Sequence, residues 1–315
     1  MVTAEEAPER PVRVRSMTWE AEGVLAVELD AVDGELAGWA PGAHIDLVLP
    51  EAPVRQYSLT GRPGSSRYRI AVLREEHSRG GSKAVHERLR PGQVVSMRGP
   101  RNHFALQPAE RYLFVAGGIG ITPLVPMLHE AERAGVPWRL VYLGTSRSRM
   151  PFLDEVRAIG GGTVTVVARD ESPRADLAAI LADEPGAAVY ACGPERMLAQ
   201  LQELLAAEES RLTLEYFAAP EVEYSPGGAF LVRLARSGVE LPVEPDQSVL
   251  EVMREAGVDV LTDCEEGICG SCETHVLEGE VEHRDFVLTT QERERNDCMM
   301  VCVSRAACPL LVLDA

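Results

Sequence analysis

No apolar run in the 315-residue sequence approaches the length that a membrane-spanning helix needs. The first twenty residues mix Glu5, Glu6, Glu9, Arg10, Arg13 and Arg15 with no apolar stretch, so no secretory signal is expected, the cytoplasm is the expected compartment, and no membrane partner is expected. Basic residues are in deficit. The 31 Lys and Arg stand against 49 Asp and Glu, net −18, which excludes the clustered positive surface that a nucleic-acid backbone requires. There is no G-K-[ST] phosphate loop, so ATP or GTP hydrolysis has no support, and the spaced G-x-G-x-x-G fingerprint is missing too. His283, Arg284 and Asp285 spell part of a kinase catalytic loop, but the glycine-rich loop, DFG and APE signatures that must accompany it do not occur.

What is present is a folded composition, 45% hydrophobic and 25% charged, in a chain longer than one hydrophobic core usually organises. Its texture changes twice. Residues 1–106 carry short alternating runs (Val24 to Leu29, His44 to Leu49, Tyr68 to Leu73, Gln93 to Arg98) between Gly and Pro clusters, which predicts an antiparallel β-barrel. Residues 107–220 alternate apolar strands (Tyr112 to Ala116, Arg139 to Leu143, Val164 to Ala168, Ala188 to Ala191) with helical stretches, which predicts a parallel-sheet α/β domain. One helix should run from Pro123 to Gly135, and another should carry Leu198, Leu201, Leu204 and Leu205. Residues 221–228, EVEYSPGG, suit a linker. The segment 229–315 opens with a strand, Ala229 to Ala235, and then a helix marked by a capping box between Ser248 and Glu251. From 228 onward there are 7 basic and 18 acidic residues, so the acid excess lies at this end.

In a reducing compartment seven cysteines are not expected to pair as disulfides, and their spacing must account for them. Cys264, Cys269 and Cys272 give C-x4-C-x2-C, and a distant fourth cysteine completes the plant-type 2Fe-2S ligand spacing. Cys298, Cys302 and Cys308 all lie downstream, and Cys302 is the candidate fourth ligand that either neighbour could replace. A zinc site would instead show paired C-x2-C knuckles or Cys/His combinations.

Two further sets of residues suit phosphorylated cofactors. Arg55, Gln56, Tyr57 and Ser58 form an R-x-Y-S segment: an Arg to neutralise a phosphate, a Tyr to lie against a flavin, a Ser to hydrogen-bond near its reactive nitrogen. Ser78 to Ser82, SRGGS, precede a helix-like stretch, Lys83 to Leu89, and make a phosphate turn of Gly80, Gly81 and Ser82. In the α/β segment, Gly117, Gly118, Ile119, Gly120, Ile121, Thr122 and Pro123 follow a strand and open a helix, the setting for a dinucleotide pyrophosphate. Cys192, Gly193 and Pro194 close another strand, and both glycine turns should line one crevice at the carboxyl edge of the sheet.

These three sites, in this order and over nearly the whole chain, resemble the phthalate dioxygenase reductase family, which includes vanillate O-demethylase reductases. The shared motifs are R-x-Y-S-L at Arg55 to Leu59, GGS at Gly80 to Ser82, GGIGITP at Gly117 to Pro123, C-G-P at Cys192 to Pro194, an acidic-aromatic segment at Glu215 to Phe217, C-E-x-G-x-C-G-x-C at Cys264 to Cys272, HRD-x-VL at His283 to Leu288, and C-V-S-R-A at Cys302 to Ala306. The resemblance implies an antiparallel flavin-binding β-barrel, an α/β nucleotide-binding domain and a β-grasp 2Fe-2S ferredoxin domain. It implies FMN, a cluster with Cys302 as fourth ligand, and NADH or NADPH as substrate, with Ser58, Thr122, Cys192 and Phe217 at the reacting end and Phe217 covering the flavin. It also implies transient, electrostatic electron delivery to an oxygenase. A cytochrome P450 acceptor, or a redox sensor without enzymatic activity, are the competing readings. Where many relatives have an Arg soon after the second strand of the nucleotide domain, this chain has Gly144, Thr145, Ser146 and Arg147, a pair of side chains suited to a 2′-phosphate.

Overall fold

Residues of alternating polarity in the first hundred positions form six antiparallel strands: β1 (Arg10–Ala21), β2 (Val24–Ala31), β3 (His44–Val48), β4 (Arg55–Ser58), β5 (Tyr68–Leu73) and β6 (Val94–Arg101). The computed structural model describes residues 9–76, 80–222, 224 and 227–315. The strand order is β4-β3-β6-β1-β2-β5. Val12, Val14, Val27, Leu29, Ile45, Leu47, Ile70 and Met97 recur at every second position and are almost fully buried, so one face of the sheet curls around its own core. Just past β4, Thr60 N–H donates to the Arg69 carbonyl of β5 at 2.8 Å, which brings the two edges of this half-barrel together. Helix α1 (Gly81–Glu87) packs Ala84 and Val85 into the same core.

Five parallel strands follow, β7 (Tyr112–Gly117), β8 (Trp138–Gly144), β9 (Thr163–Ala168), β10 (Ala188–Cys192) and β11 (Leu212–Glu215), in the order β11-β10-β7-β8-β9. Helices α2 (Leu124–Ala134), α3 (Leu153–Ala158), α4 (Leu177–Ala182) and α5 (Glu195–Leu204) connect them. Both faces of the sheet are covered, so β7 is apolar throughout. Its Tyr112, Phe114 and Ala116 pack with Leu124, Val125 and Leu128 of α2, while Leu113 and Val115 pack with Leu177 of α4 and Leu198 and Leu201 of α5. Helix α2 starts after Pro123 and stops at Gly135, whose φ of 67° ends the hydrogen-bond ladder. In α5, Leu198 and Leu201 share a buried stripe with Leu205 just past its end, whereas Leu204 turns outward and is 40% exposed. Ala21, Val24, Ala26 and Ala71 from the outside of the half-barrel join the α2 core, so the two sheets fold as one unit that ends at Phe217.

The second unit begins at Ala218. Strands β12 (Phe230–Leu234), β13 (Glu240–Val243), β14 (Glu273–Glu278), β16 (Cys298–Met300) and β18 (Leu310–Leu313) form a mixed sheet in the order β13-β12-β18-β14-β16, beside a small ladder of β15 (Val281–Glu282) and β17 (Arg305–Ala306). This sheet grips α6 (Val249–Glu255), whose Val249, Leu250, Val252 and Met253 are buried, in a β-grasp arrangement; α7 (Thr290–Arg295) lies before β16. Of the expected linker, residues 223, 225 and 226 lie outside the described residues. Tyr224 lies under the Arg284 guanidinium, 4.8 Å from ring centroid to Cζ, and donates its hydroxyl to the Arg284 carbonyl at 3.1 Å. No helix among the described residues is long and apolar enough to cross a membrane.

The expected capping box is formed. Ser248 Oγ accepts from Glu251 N–H at 3.1 Å, and Glu251 Oε2 accepts from Ser248 N–H at 2.7 Å. Ser248→Ala should therefore destabilise the second unit by about 1 kcal/mol, with Ser248→Asp retaining most of it. Urea unfolding of the two variants measures this; equal midpoints for the wild type and Ser248→Ala contradict it.

Candidate functional site

Parallel registry brings the ends of β7 and β10 flush, Ala116 opposite Cys192, and Cys192 opposite Glu215 of β11. The backbones of the two glycine turns then touch. A Cβ on Gly120 would lie 2.2 Å from the Cys192 carbonyl oxygen, and one on Gly117 would lie 2.4 Å from Pro194 Cδ and 3.2 Å from Gly193 Cα. Only glycine fits at either position. The two glycine turns thus meet at one edge of the sheet, with Gly118 at φ 55° inside a tight turn over Gly118–Ile121. Thr122 is buried and donates its hydroxyl to the Ile119 carbonyl at 3.0 Å, which fastens that turn.

At this edge the half-barrel and the parallel sheet meet through polar groups. Ser58 Oγ of β4 donates to Glu215 Oε2 at 3.2 Å, across 157 positions of sequence. Burial pushes the Glu215 carboxyl up to about 8, offset in part by the Ser58 hydrogen bond. The Cys192 thiol beside it is fully buried and pushed well up, first by burial and then by the Glu215 charge. Near neutral pH the corner is an uncharged carboxyl, an uncharged thiol and a hydroxyl. Phe217, two residues beyond Glu215, is 44% exposed.

The R-x-Y-S strand and the phosphate turn are neighbours. A Cβ on Gly81 would lie 2.5 Å from Arg55 Cγ, so the missing side chain is what admits the arginine. Gly80 has φ 114°, and Ser82 Oγ accepts from Glu75 N–H at 3.2 Å. Ser78 and Arg79 of that segment lie outside the described residues. Burial pushes the Tyr57 phenol up to about 12. Gln56 is held elsewhere: its Nε2 donates to buried Asp46 Oδ1 at 3.0 Å, an oxygen that also receives Arg101 Nη2 at 2.6 Å. Leu59 is fully buried in the half-barrel core. Ser146 and Arg147 follow β8, where Arg147 Nε donates to both carboxylate oxygens of Glu171 at 3.0 and 2.8 Å.

In the second unit the four predicted ligand sulfurs converge as two pairs. Cys272 and Cys302 Sγ are 3.2 Å apart, and Cys264 is hydrogen-bonded to Cys269. One thiol of each pair is held low by its partner's hydrogen bond, Cys264 at about 6 and Cys302 likewise lowered, while Cys269 and Cys272 are pushed up. Backbone N–H groups of Glu266 and Ile268 point at Cys264, that of Gly267 at Cys302, and that of Ser271 at Cys269. Such donors favour thiolates. Among the described residues no three His, Cys, Asp or Glu side chains close on one metal point. Two cysteine sulfur pairs surrounded by backbone N–H donors fit two irons, each held by two cysteine sulfurs. The alternatives for the fourth ligand are engaged otherwise: Cys298 is buried in β16 with its thiol pushed up to about 12 by that burial, and Cys308 Sγ accepts from Glu280 N–H at 3.1 Å.

The HRD triplet has a structural task. Asp285 is buried, its Oδ1 accepts from Val287 and Leu288 N–H at 3.1 and 2.8 Å, and Phe286 N–H donates to the Gly267 carbonyl at 2.8 Å. The turn thereby props the cysteine loop. Sequence reasoning placed Glu215 only in an acidic-aromatic motif. Its sole local signal is an acid ending a short strand ahead of an aromatic residue.

Residues 232–307 match the family described as 2Fe-2S iron-sulfur cluster binding domain. The chain is 42% identical over 309 residues, 96% of each chain, to phenoxybenzoate dioxygenase subunit beta of Ectopseudomonas oleovorans. It is 41% identical over 304 residues, 94% of this chain and 96% of the relative, to vanillate O-demethylase oxidoreductase of Pseudomonas putida. Among solved structures it is similar to phthalate dioxygenase reductase, with a TM-score of 0.68 and 32% identity over 100% of both chains. It is also similar to part of an intact type IV self-sufficient cytochrome P450 monooxygenase, with a TM-score of 0.93 and 43% identity over 98% of this chain, which spans 41% of that longer protein. With the half-barrel, parallel sheet and cluster-binding domain of these relatives in the same order, the chain belongs to the phthalate dioxygenase reductase family, the flavin- and 2Fe-2S-containing NAD(P)H reductases of oxygenase systems.

Proposed function

We propose that this chain draws electrons from NAD(P)H at the corner formed by Ser58, Cys192 and Glu215, and delivers them one at a time to a separate oxygenase component in the cytoplasm, a Rieske-type dioxygenase or O-demethylase. In this reading residues 1–106 hold FMN, 107–220 the dinucleotide and 229–315 the cluster. When bound, the flavin accepts hydride from the dinucleotide and the cluster carries single electrons onward. Arg55 supplies positive charge beside the Gly80 to Ser82 turn, where the FMN phosphate belongs. Tyr57 and Phe217 flank the flavin, Phe217 shielding it until nicotinamide arrives. Gly117, Gly118, Gly120 and Thr122 shape the pyrophosphate side of the crevice, and Cys192, Gly193 and Pro194 the nicotinamide side. Glu215 keeps a proton on its carboxyl below about pH 8, so no fixed negative charge faces the place where hydride must arrive. The observation that carries this reading is the Ser58–Glu215 hydrogen bond, which joins the flavin strand to the nucleotide sheet beside Cys192. A cytochrome P450 acceptor is the second reading, favoured by the similarity to the self-sufficient monooxygenase.

The test is a pH profile of dinucleotide oxidation. Glu215 has a folded value raised to about 8 from the ordinary carboxyl range, so it is neutral below that point and charged above it. The wild-type rate should fall as pH passes about 8, and the Glu215→Gln profile should lack that limb. Stability follows the same sign: the wild type should lose stability between about pH 4.5 and about 8 relative to Glu215→Gln, seen as a falling Tm. Parallel profiles for the two proteins contradict the assignment.

For the cluster, Cys302→Ser should abolish the iron–sulfur absorbance of purified protein, while Cys298→Ser and Cys308→Ser keep it. Retention of the band in Cys302→Ser, or its loss in either of the other two, contradicts the ligand set. The second unit carries the acid excess, so the partner's docking face is basic and electron transfer to it should slow as salt rises past about 0.1 M, where the Debye length is about 10 Å. A flat salt profile removes the electrostatic part of the proposal.

A further inference from the structure

The half-barrel and the parallel sheet meet a second time, on the side of β5 and α3, through Arg69. Its Nη2 donates to the Thr60 carbonyl at 2.7 Å, two residues beyond Ser58, and to Glu155 Oε1 of α3 at 2.9 Å. Its guanidinium also lies over the buried Phe152 ring, 4.8 Å from Cζ to centroid. Phe152 has φ 57° and turns the chain into α3, and its N–H donates to Glu20 Oε1 of β1 at 3.3 Å. His129 of α2, the helix that follows the first glycine turn, brings Nε2 within 3.4 Å of the same Glu155 oxygen. One guanidinium thus brackets the continuation of the flavin strand, α3 and, through Glu155, α2.

The bracket is charged and shielded. Burial raises the Glu155 carboxyl, but the hydrogen bonds of His129 and Arg69 outweigh that and hold it at about 2, so the carboxylate keeps its charge at working pH. Arg69 and Glu155 are 25% and 29% exposed, whereas Arg149 and Glu22, an ion pair between the same two sheets, are more open. Beside the bracket the sheets stand apart around a cavity of about 590 Å³, lined by Arg62 and Pro63 from the half-barrel and by His129, Glu155, Ala158 and Ile159 from the other side. Across that gap apolar packing cannot fix the spacing, and directional, charge-assisted hydrogen bonds can.

We infer that Arg69 is a positioning residue for hydride transfer: by tying the Thr60 carbonyl to Glu155, it holds the half-barrel at the spacing from the parallel sheet at which Ser58 meets Glu215. The inference rests on the proposed hydride corner. Only Leu59, fully buried, lies between Ser58 and Thr60, so a shift at the bracket reaches the corner. Misplacing reacting groups by about 1 Å can cost on the order of a hundredfold in rate.

The test uses the full chain loaded with its flavin and cluster and follows flavin bleaching after rapid mixing with NADH at rising concentration. Arg69→Met keeps a side chain over Phe152 and removes the donors. Its limiting rate should fall on the order of tenfold with the NADH Kd near that of the wild type, the mark of lost positioning. Arg69→Lys, which keeps a cation between Thr60 and Glu155, should recover most of the rate. In Arg69→Met the fall in rate near pH 8 should also move to lower pH, because water admitted to the corner lets Glu215 ionise more readily. Iodoacetamide labelling of Cys192 in the same loaded protein, mapped by mass spectrometry, should quicken on the order of tenfold. Should the lone Glu155 charge prevent Arg69→Met from folding, the double variant Arg69→Met with Glu155→Leu removes that charge and should behave in the same way. A limiting rate or a Cys192 labelling rate equal to that of the wild type overturns the inference. A wild type whose rate does not fall near pH 8 removes the corner reading itself, and the inference falls with it.

Discussion

Backbone lies directly on backbone where Gly120 meets the Cys192 carbonyl and Gly117 meets Gly193, and the rest of the first unit is arranged around that contact. Two parallel strands end level only if nothing projects between their turns, and the glycines remove the two side chains that would. With β7 and β10 flush, Cys192 stands next to Glu215 on β11, and Glu215 is within reach of Ser58 from the half-barrel. A side chain at Gly120 would push the turns apart and separate all three. The apolar packing of Ala21, Val24, Ala26 and Ala71 against the α2 core holds the two sheets in the same relation from below.

The two candidate sites handle charge in different ways. At the corner of Ser58, Cys192 and Glu215 burial suppresses ionisation, pushing the Glu215 carboxyl up to about 8 and the Cys192 thiol well up. At the cysteine loop backbone N–H donors favour it, and each sulfur pair holds one thiol low, Cys264 or Cys302, while its partner, Cys269 or Cys272, is pushed up. Positive φ at Gly267 and Gly270, and at Glu265, turns those N–H groups inward. Arg254 holds the Glu265 carboxylate at 2.9 Å, which fixes the residue that begins the turn.

Much of this was legible in the sequence because the deciding signals are local. Ligand spacing, glycine runs after apolar strands, Pro123 before and Gly135 after a helix, and the Ser248–Glu251 box each need a handful of neighbouring residues. Strand ends came within a residue or two where apolar alternation was clean, as at Tyr68–Leu73. Alternation alone did not mark β1, a twelve-residue strand whose exposed positions carry Pro, Arg, Thr and Trp among buried and half-buried ones. What stayed hidden depends on tertiary placement. Nothing near Gln56 shows that it will be taken by Asp46 across the sheet, and nothing near Arg147 shows that Glu171 will close on it. Glu215 reads as an ordinary acid until burial raises it, and burial is a property of the packed unit.

Hydride taken at one site should leave this chain as single electrons through the iron–sulfur cluster. An anaerobic titration of the purified full chain with NADH, followed by visible absorbance, tests it most directly. Flavin and iron–sulfur bands should both bleach, with about 1.5 NADH consumed per chain, because the flavin stores two electrons and the cluster one. Bleaching of the flavin band alone, with the iron–sulfur band unchanged, would contradict the account.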